Sequence, residues 1–171
     1  MTAPLPAVLV RPRRPEDLPD CVSVIADTHR TSAYPVNWPK DPSGWLTPSG
    51  LLDAWVAEVD GRIVGHSVLG TGRERTVRLW SERTGLPPTA AGEIKRLCVA
   101  SGARERSIGS LLLAATAKAA VERGLHPVLG VLESSVDAIA LYERLGWTHV
   151  GSEDFVLADG RMSVMHVYGA P

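Results

Sequence analysis

The segment that most restricts the fold of this 171-residue chain runs from Glu93 to Gly124. An apolar strand, EIKRLCVA (93–100), is followed within a few residues by RERSIGSLLL (104–113), which turns a loop into a helix. The helix is expected from about Ile108 to Arg123, with Gly124 as the left-handed residue that closes it. Orphan amide N–H groups at its N-terminus, the helix dipole, and the charges of Arg104 and Arg106 suit an anion such as a pyrophosphate. The same features also describe an ordinary strand-to-helix connection with two solvated arginines.

A second strand-to-helix unit narrows the choice. PVLGVLE lacks clean alternation, as expected of a central strand covered on both faces. It leads into ESSVDAIALYERLGW (133–147), where Ser134 is the expected N-cap, Asp137 completes a capping box, and Gly146 ends the helix after Leu145. Tyr142 then falls on the last turn.

Taken together, RLCV, RxxSIG with its leucine run, and AxxLYERLGW resemble the GNAT family of N-acetyltransferases over about residues 93 to 152. The resemblance implies one α/β sandwich spanning 1–171, with a mixed, mostly antiparallel sheet that splays between strands four and five to receive the pantetheine arm of acetyl-CoA. Acceptor-side elements would occupy about 15–90. The thioester would lie beside the backbone of Leu97, Cys98 and Val99, in an oxyanion-hole arrangement. The diphosphate would cross Arg104, Glu105, Arg106, Ser107, Ile108, Gly109 and Ser110. Two of these depart from the family pattern, since Glu105 and Ser107 stand where glycine is usual. A serine suits position 107 if its φ stays below zero, and its hydroxyl can donate. Ser135 replaces a common asparagine that touches the cofactor.

The implied reaction is acetyl transfer to an amine of a small molecule by direct attack, with acetyl-CoA as co-substrate and no metal. Tyr142 is the candidate acid for the departing thiolate, and Glu93 the candidate base, acting directly or through water. Cys98 is a conceivable acyl carrier, but no partnered histidine or acid supports it. A non-catalytic acyl-CoA-binding module and a protein N-terminal or lysine acetyltransferase are the competing readings.

The charge balance of −1 gives no pull toward nucleic acid or anionic membrane, and no apolar run approaches the roughly 20 residues that span a bilayer. Cys21 and Cys98 lack metal or disulfide spacing and read as buried thiols. MTAPLPAVLVRPRR lacks a basic n-region, so a cytoplasmic protein is expected. A homodimer is compatible with this reading.

In the first half, VLVRPRR reads as a strand and PEDLPDCVSVIADTHRTSA as a helix from near Pro15, with Leu18, Val22, Ile25 and Ala26 on one stripe. YPVNWPKDPSGWLTP, rich in proline and aromatics, is expected to be a packed loop. Its Tyr34, Trp38 and Trp45 either border the acceptor cleft, stacking on a ligand, or plug the sheet edge. Asp60-Gly61 marks a hairpin between AWVAEVD and RIVGHSVLG. A short helix is expected near Arg75 to Thr84. Its arginines, with Arg73, make a mildly basic surface suited to a carboxylated substrate or simply solvated. WTHVGS and RMSVMHVY close the sheet around an Asp159-Gly160 turn. His66 and His166 receive no catalytic role.

Overall fold

The computed structural model describes residues 4–104 and 106–171, so Glu105 lies outside the described residues. Seven strands form one sheet in the order β1-β2-β3-β4-β5-β7-β6. They are β1 Val8–Pro12, β2 Leu51–Val59, β3 Arg62–Thr71, β4 Ala91–Val99, β5 His126–Leu132, β6 Thr148–Val156 and β7 Met162–Gly169. The β4–β5 pair is parallel and the other neighbouring pairs are antiparallel, the expected mixed α/β architecture.

Helices cover both faces. On one lie α1 Leu18–Ser32, α2 Pro42–Leu46 and α3 Glu74–Thr84; on the other lie α4 Ile108–Glu122 and α5 Val136–Arg144. Helix α4 buries Ile108, Leu112 and Leu113 at almost no exposure, each contributing about 1.5–3 kcal/mol by leaving water. Gly124, at φ 74°, ends that segment, and Asp60 and Gly61, at φ 50° and 75°, make the tight hairpin between β2 and β3.

Three local expectations need correction. The buried stripe of α1 is Cys21, Val24, Ile25 and Thr28, while Ala26 is exposed. The helix starts at Leu18 after a 3-10 turn over Pro15–Asp17, and that start sets which face meets the sheet. The proline-rich loop contains α2, because the Asp41 carboxylate accepts the Gly44 amide at 3.0 Å and Pro42 is preset for the first helical position. In α5 the N-cap is Ser135 rather than Ser134, and no side-chain capping bond forms.

One feature of the sheet makes room for a ligand. Strands β4 and β5 pair over Ala91↔His126, Gly92↔Pro127 and Glu93↔Val128, and then part. Strand β5 stays paired to β7 through Leu132 while β4 follows β3, so the sheet splits from Ile94 and Leu129 onward.

Candidate active site

Strand β4 is irregular beside the opening. Its register against β3 steps from His66↔Cys98 to Val68↔Lys95, so Arg96 and Leu97 both oppose Ser67. This β-bulge puts Arg96 at φ 56°, a left-handed conformation that costs a non-glycine residue about 1–2 kcal/mol. Three contacts hold it. The Arg96 carbonyl accepts from His66 Nδ1 at 3.1 Å, Arg96 Nε donates to the Trp45 carbonyl at 3.1 Å, and the guanidinium sits 3.9 Å from the Trp45 ring centre.

His66 is fully buried, and burial holds its pKa down to about 4, so it is neutral at physiological pH. Its Nε2 lies 2.9 Å from Arg13 Nη1, which can only donate, so the ring proton belongs on Nδ1, facing the Arg96 carbonyl. Burial also drives the Cys98 thiol far above the usual thiol range, and lifts Cys21 to about 12. Both cysteines are buried thiols, as expected.

At the outer end of β4 the chain turns into α4, and a groove of about 310 Å³ opens there. Ser107, Ile108, Gly109 and Ser110 form its floor, with Val99 and Arg104 beside them and Asp137, Leu141 and Arg144 contributed by α5. Ser107 lies at φ 57°, contrary to the expectation of a negative φ, because the chain must reverse its path to enter α4. A Cβ built on Gly109 would meet Leu141 Cδ2 at 3.5 Å, an ordinary contact, so packing within the protein does not require glycine there. Arg106 does not line this groove; its guanidinium is bound to the Pro6 carbonyl. Ser135 caps α5 outside the groove. Arg144 was missed by the sequence reading, although its place two residues after Tyr142 on α5 carries the signal.

Tyr142 enters the opening from the α5 side. Its ring packs with Ile94, Leu113, Leu129 and Val131 and lies 6.2 Å from Trp147. Burial pushes its phenol well above the usual tyrosine range. Among the described residues the hydroxyl has no hydrogen-bond partner, and Tyr142 is near enough to influence the ionisation of Tyr34 on the opposite layer.

Tyr34 is placed by the end of α1. Ala33 closes the helix at φ 54°, and Thr28 Oγ1 donates to the Tyr34 carbonyl at 2.6 Å. The Tyr34 ring meets Trp45 edge-on at 5.9 Å, and burial raises its phenol, with Cys98, Arg96, Tyr142 and Arg73 as further neighbours. Trp38 stands apart, 43% exposed with its ring 5.4 Å from His29.

Glu93 has zero exposure. Its Oε1 accepts from Arg73 Nε at 2.9 Å and Nη2 at 2.7 Å, and its Oε2 accepts the Arg73 backbone amide at 2.7 Å. Thr76 Oγ1 at 3.5 Å and Lys95 Nζ at 3.6 Å complete the surroundings. This carboxylate is neither solvated nor free to turn toward the opening.

A parallel strand pair that parts beside a bulge, with a groove at the start of the next helix, places the chain among α/β proteins whose central sheet opens between two strands. The model of the acetyltransferase (GNAT) family matches residues 22–147, and the chain belongs to that family. Similar solved structures include the ribosomal-protein-alanine N-acetyltransferase of Brucella melitensis (26% identity, 94% of this chain and 98% of that one, TM-score 0.71) and an N-acetyltransferase of Staphylococcus aureus Mu50 (19%, 95% and 97%, 0.75). NAA60 of Arabidopsis thaliana, solved with acetyl-CoA, is 19% identical over 95% of this chain and 97% of that one, with a TM-score of 0.72. No curated protein matches the chain in sequence.

Proposed function

We propose that this enzyme transfers the acetyl group of acetyl-CoA to an amine of a small molecule by direct attack. The observation that carries the reading is Tyr142, a protonated phenol without a protein partner, standing in the only gap between paired strands among the described residues.

When bound, acetyl-CoA supplies an acetyl group already activated as a thioester. The amides of Ser107 to Ser110 and the cations Arg104 and Arg144 suit its diphosphate. The backbone of Leu97, Cys98 and Val99, displaced by the bulge, faces the thioester, and His66 fixes that backbone by holding the Arg96 carbonyl. Tyr142 keeps its proton at neutral pH because burial disfavours the phenolate, and it delivers that proton to the leaving sulfur. Glu93 serves this site by anchoring Arg73. Accepting a proton from the acceptor amine would require it to give up donors it already binds. The buried Cys98 thiol, its pKa driven up, is a poor acyl carrier, which favours direct attack.

Calorimetric titration with acetyl-CoA, followed by free-thiol release from a panel of amines, tests this reading. One-site micromolar binding with amine-dependent thiol release is expected; binding without release for any amine would instead favour a non-catalytic acyl-CoA module.

A further inference from the structure

The acceptor side of the opening carries an uneven set of charges. Arg73, at the start of α3, reaches across β5, where a Cβ placed on Gly130 would lie 3.6 Å from its Nη2. Its Nε and Nη2 are fixed by Glu93, yet the side chain remains 45% exposed. Arg96 is half-buried on the same face, stacked on Trp45 and tied through Nε to the Trp45 carbonyl. It has no ion-pair partner among the described residues, and Glu93, the carboxylate that influences it, is already bound by Arg73. Lys95 points to Glu93 and to the Thr71 carbonyl. Three cations therefore face one carboxylate whose acceptor positions are filled. The Tyr34 hydroxyl is a further hydrogen-bonding neighbour of Arg96. A half-buried guanidinium held in place by an aromatic ring, a carbonyl and a neutral phenol, with no carboxylate of its own, is a preorganised anion site.

Resting on the acetyltransferase reading, we propose that the acceptor is a small amine bearing a carboxylate, of the amino-acid type, whose carboxylate pairs with Arg96 and Arg73 above Gly130. The planar fork of arginine matches a carboxylate in two-point fashion, and Tyr34 and Trp45 wall the space above it. The amine then points into the β4–β5 opening. Its nitrogen forms the new C–N bond, the C–S bond breaks, the sulfur takes the Tyr142 proton, and the surplus amine proton leaves to water, which restores the phenol. Polycationic amines are repelled by the same charges.

The test compares each standard amino acid with its own carboxamide and its decarboxylated amine, and with short peptides, by thiol release in the presence of saturating acetyl-CoA. Calorimetric binding of acetyl-CoA is measured alongside. The expected result is at least one amino acid whose kcat/KM exceeds that of its carboxamide by about a hundredfold. The carboxamide's amine is the less basic and so the more available, which means the preference has to come from binding. Arg96→Gln should bring the acid-to-amide ratio close to one while acetyl-CoA affinity stays within a few-fold, a readout that partial loss of folded protein does not move. Equal or better turnover of carboxamides, decarboxylated amines or peptides, or no turnover of any amino acid, overturns the carboxylate proposal while acetyl-CoA binding stands. Failure to bind acetyl-CoA overturns the acetyltransferase reading itself.

Discussion

The ring of His66 donates from Nδ1 to the Arg96 carbonyl at 3.1 Å, so a residue buried in β3 fixes the backbone of β4 at the point where the sheet begins to split. The left-handed turn at Arg96 is stable because this carbonyl is satisfied and the guanidinium is stacked and hydrogen-bonded.

Burial of His66, only partly opposed by that hydrogen bond, makes stability depend on pH in a defined window. Folded His66 titrates at about 4, against 6.5 for an unperturbed histidine, so between these values the unfolded chain binds more protons. Stability is full above about pH 6.5 and falls as pH drops toward 4, by up to about 1.4 kcal/mol per pH unit. Asp17, held down to about 2 mainly by its hydrogen bond from Arg11, adds its loss only at lower pH. Thermal melts between about pH 7 and pH 4.5 should show the slope in the wild type and lose most of it in His66→Gln. An unchanged slope in the variant would assign the effect elsewhere.

Tyr142→Phe removes a hydroxyl that has no partner among the described residues, so the melting temperature should hardly change. Turnover should fall by about 10²–10⁴-fold while acetyl-CoA affinity stays within a few-fold. Parallel loss of affinity and turnover would make Tyr142 a packing residue.

Glu93→Gln should act on stability first. The amide leaves Arg73 without its counter-charge and turns an NH₂ toward groups that themselves donate. Because Arg73 is 45% exposed, the cost lies near the lower end for a broken ion pair, about 2 kcal/mol in a urea titration. The shape of the pH–rate profile should be retained. Loss of one limb of that profile at unchanged stability would restore Glu93 as a general base.

At the groove proposed for the diphosphate, Gly109→Ala should fold normally, since the added methyl meets only ordinary contacts within the protein and alanine favours helix by about 1 kcal/mol. Its methyl would crowd the groove and weaken acetyl-CoA binding about tenfold or more, as read by titration calorimetry. Wild-type affinity would remove Gly109 from the cofactor site.

Ser107→Gly should raise stability by up to about 1 kcal/mol by relieving the left-handed serine, partly offset by the freedom glycine adds to the unfolded chain. Acetyl-CoA affinity should hold or improve. A clear drop in affinity would show the hydroxyl to be a ligand of the diphosphate.

What the sequence disclosed and what it hid divide by the range of the interactions involved. The Asp60-Gly61 hairpin, the Gly124 and Gly146 terminators and the helix beginning at Ile108 depend on neighbours within a few residues, and all appear where the local signals put them. The bulge at Arg96 depends on His66, 30 residues earlier, and on Trp45, 51 earlier; RLCV itself reads as a plain strand. Arg106 looked like a phosphate ligand because it adjoins the helix start, but a carbonyl 100 residues away claims it. The aromatic loop showed its rings but not their division into a Tyr34–Trp45 pair at the opening and a separate Trp38 against His29, because the end of α1 and the cap of α2 make that choice.

Helix α3 sits between β3 and β4 in the chain, whereas the groove at Ser107 and the tyrosine at 142 come from later segments. Thr76, Val77 and Trp80 bury one side of α3 against the sheet, while Arg73 reaches the opening from the position just before the helix. The charge beside the opening is therefore set by one residue outside the helix, whose replacement is felt first at Glu93 and leaves the segment that forms the groove at Ser107 untouched.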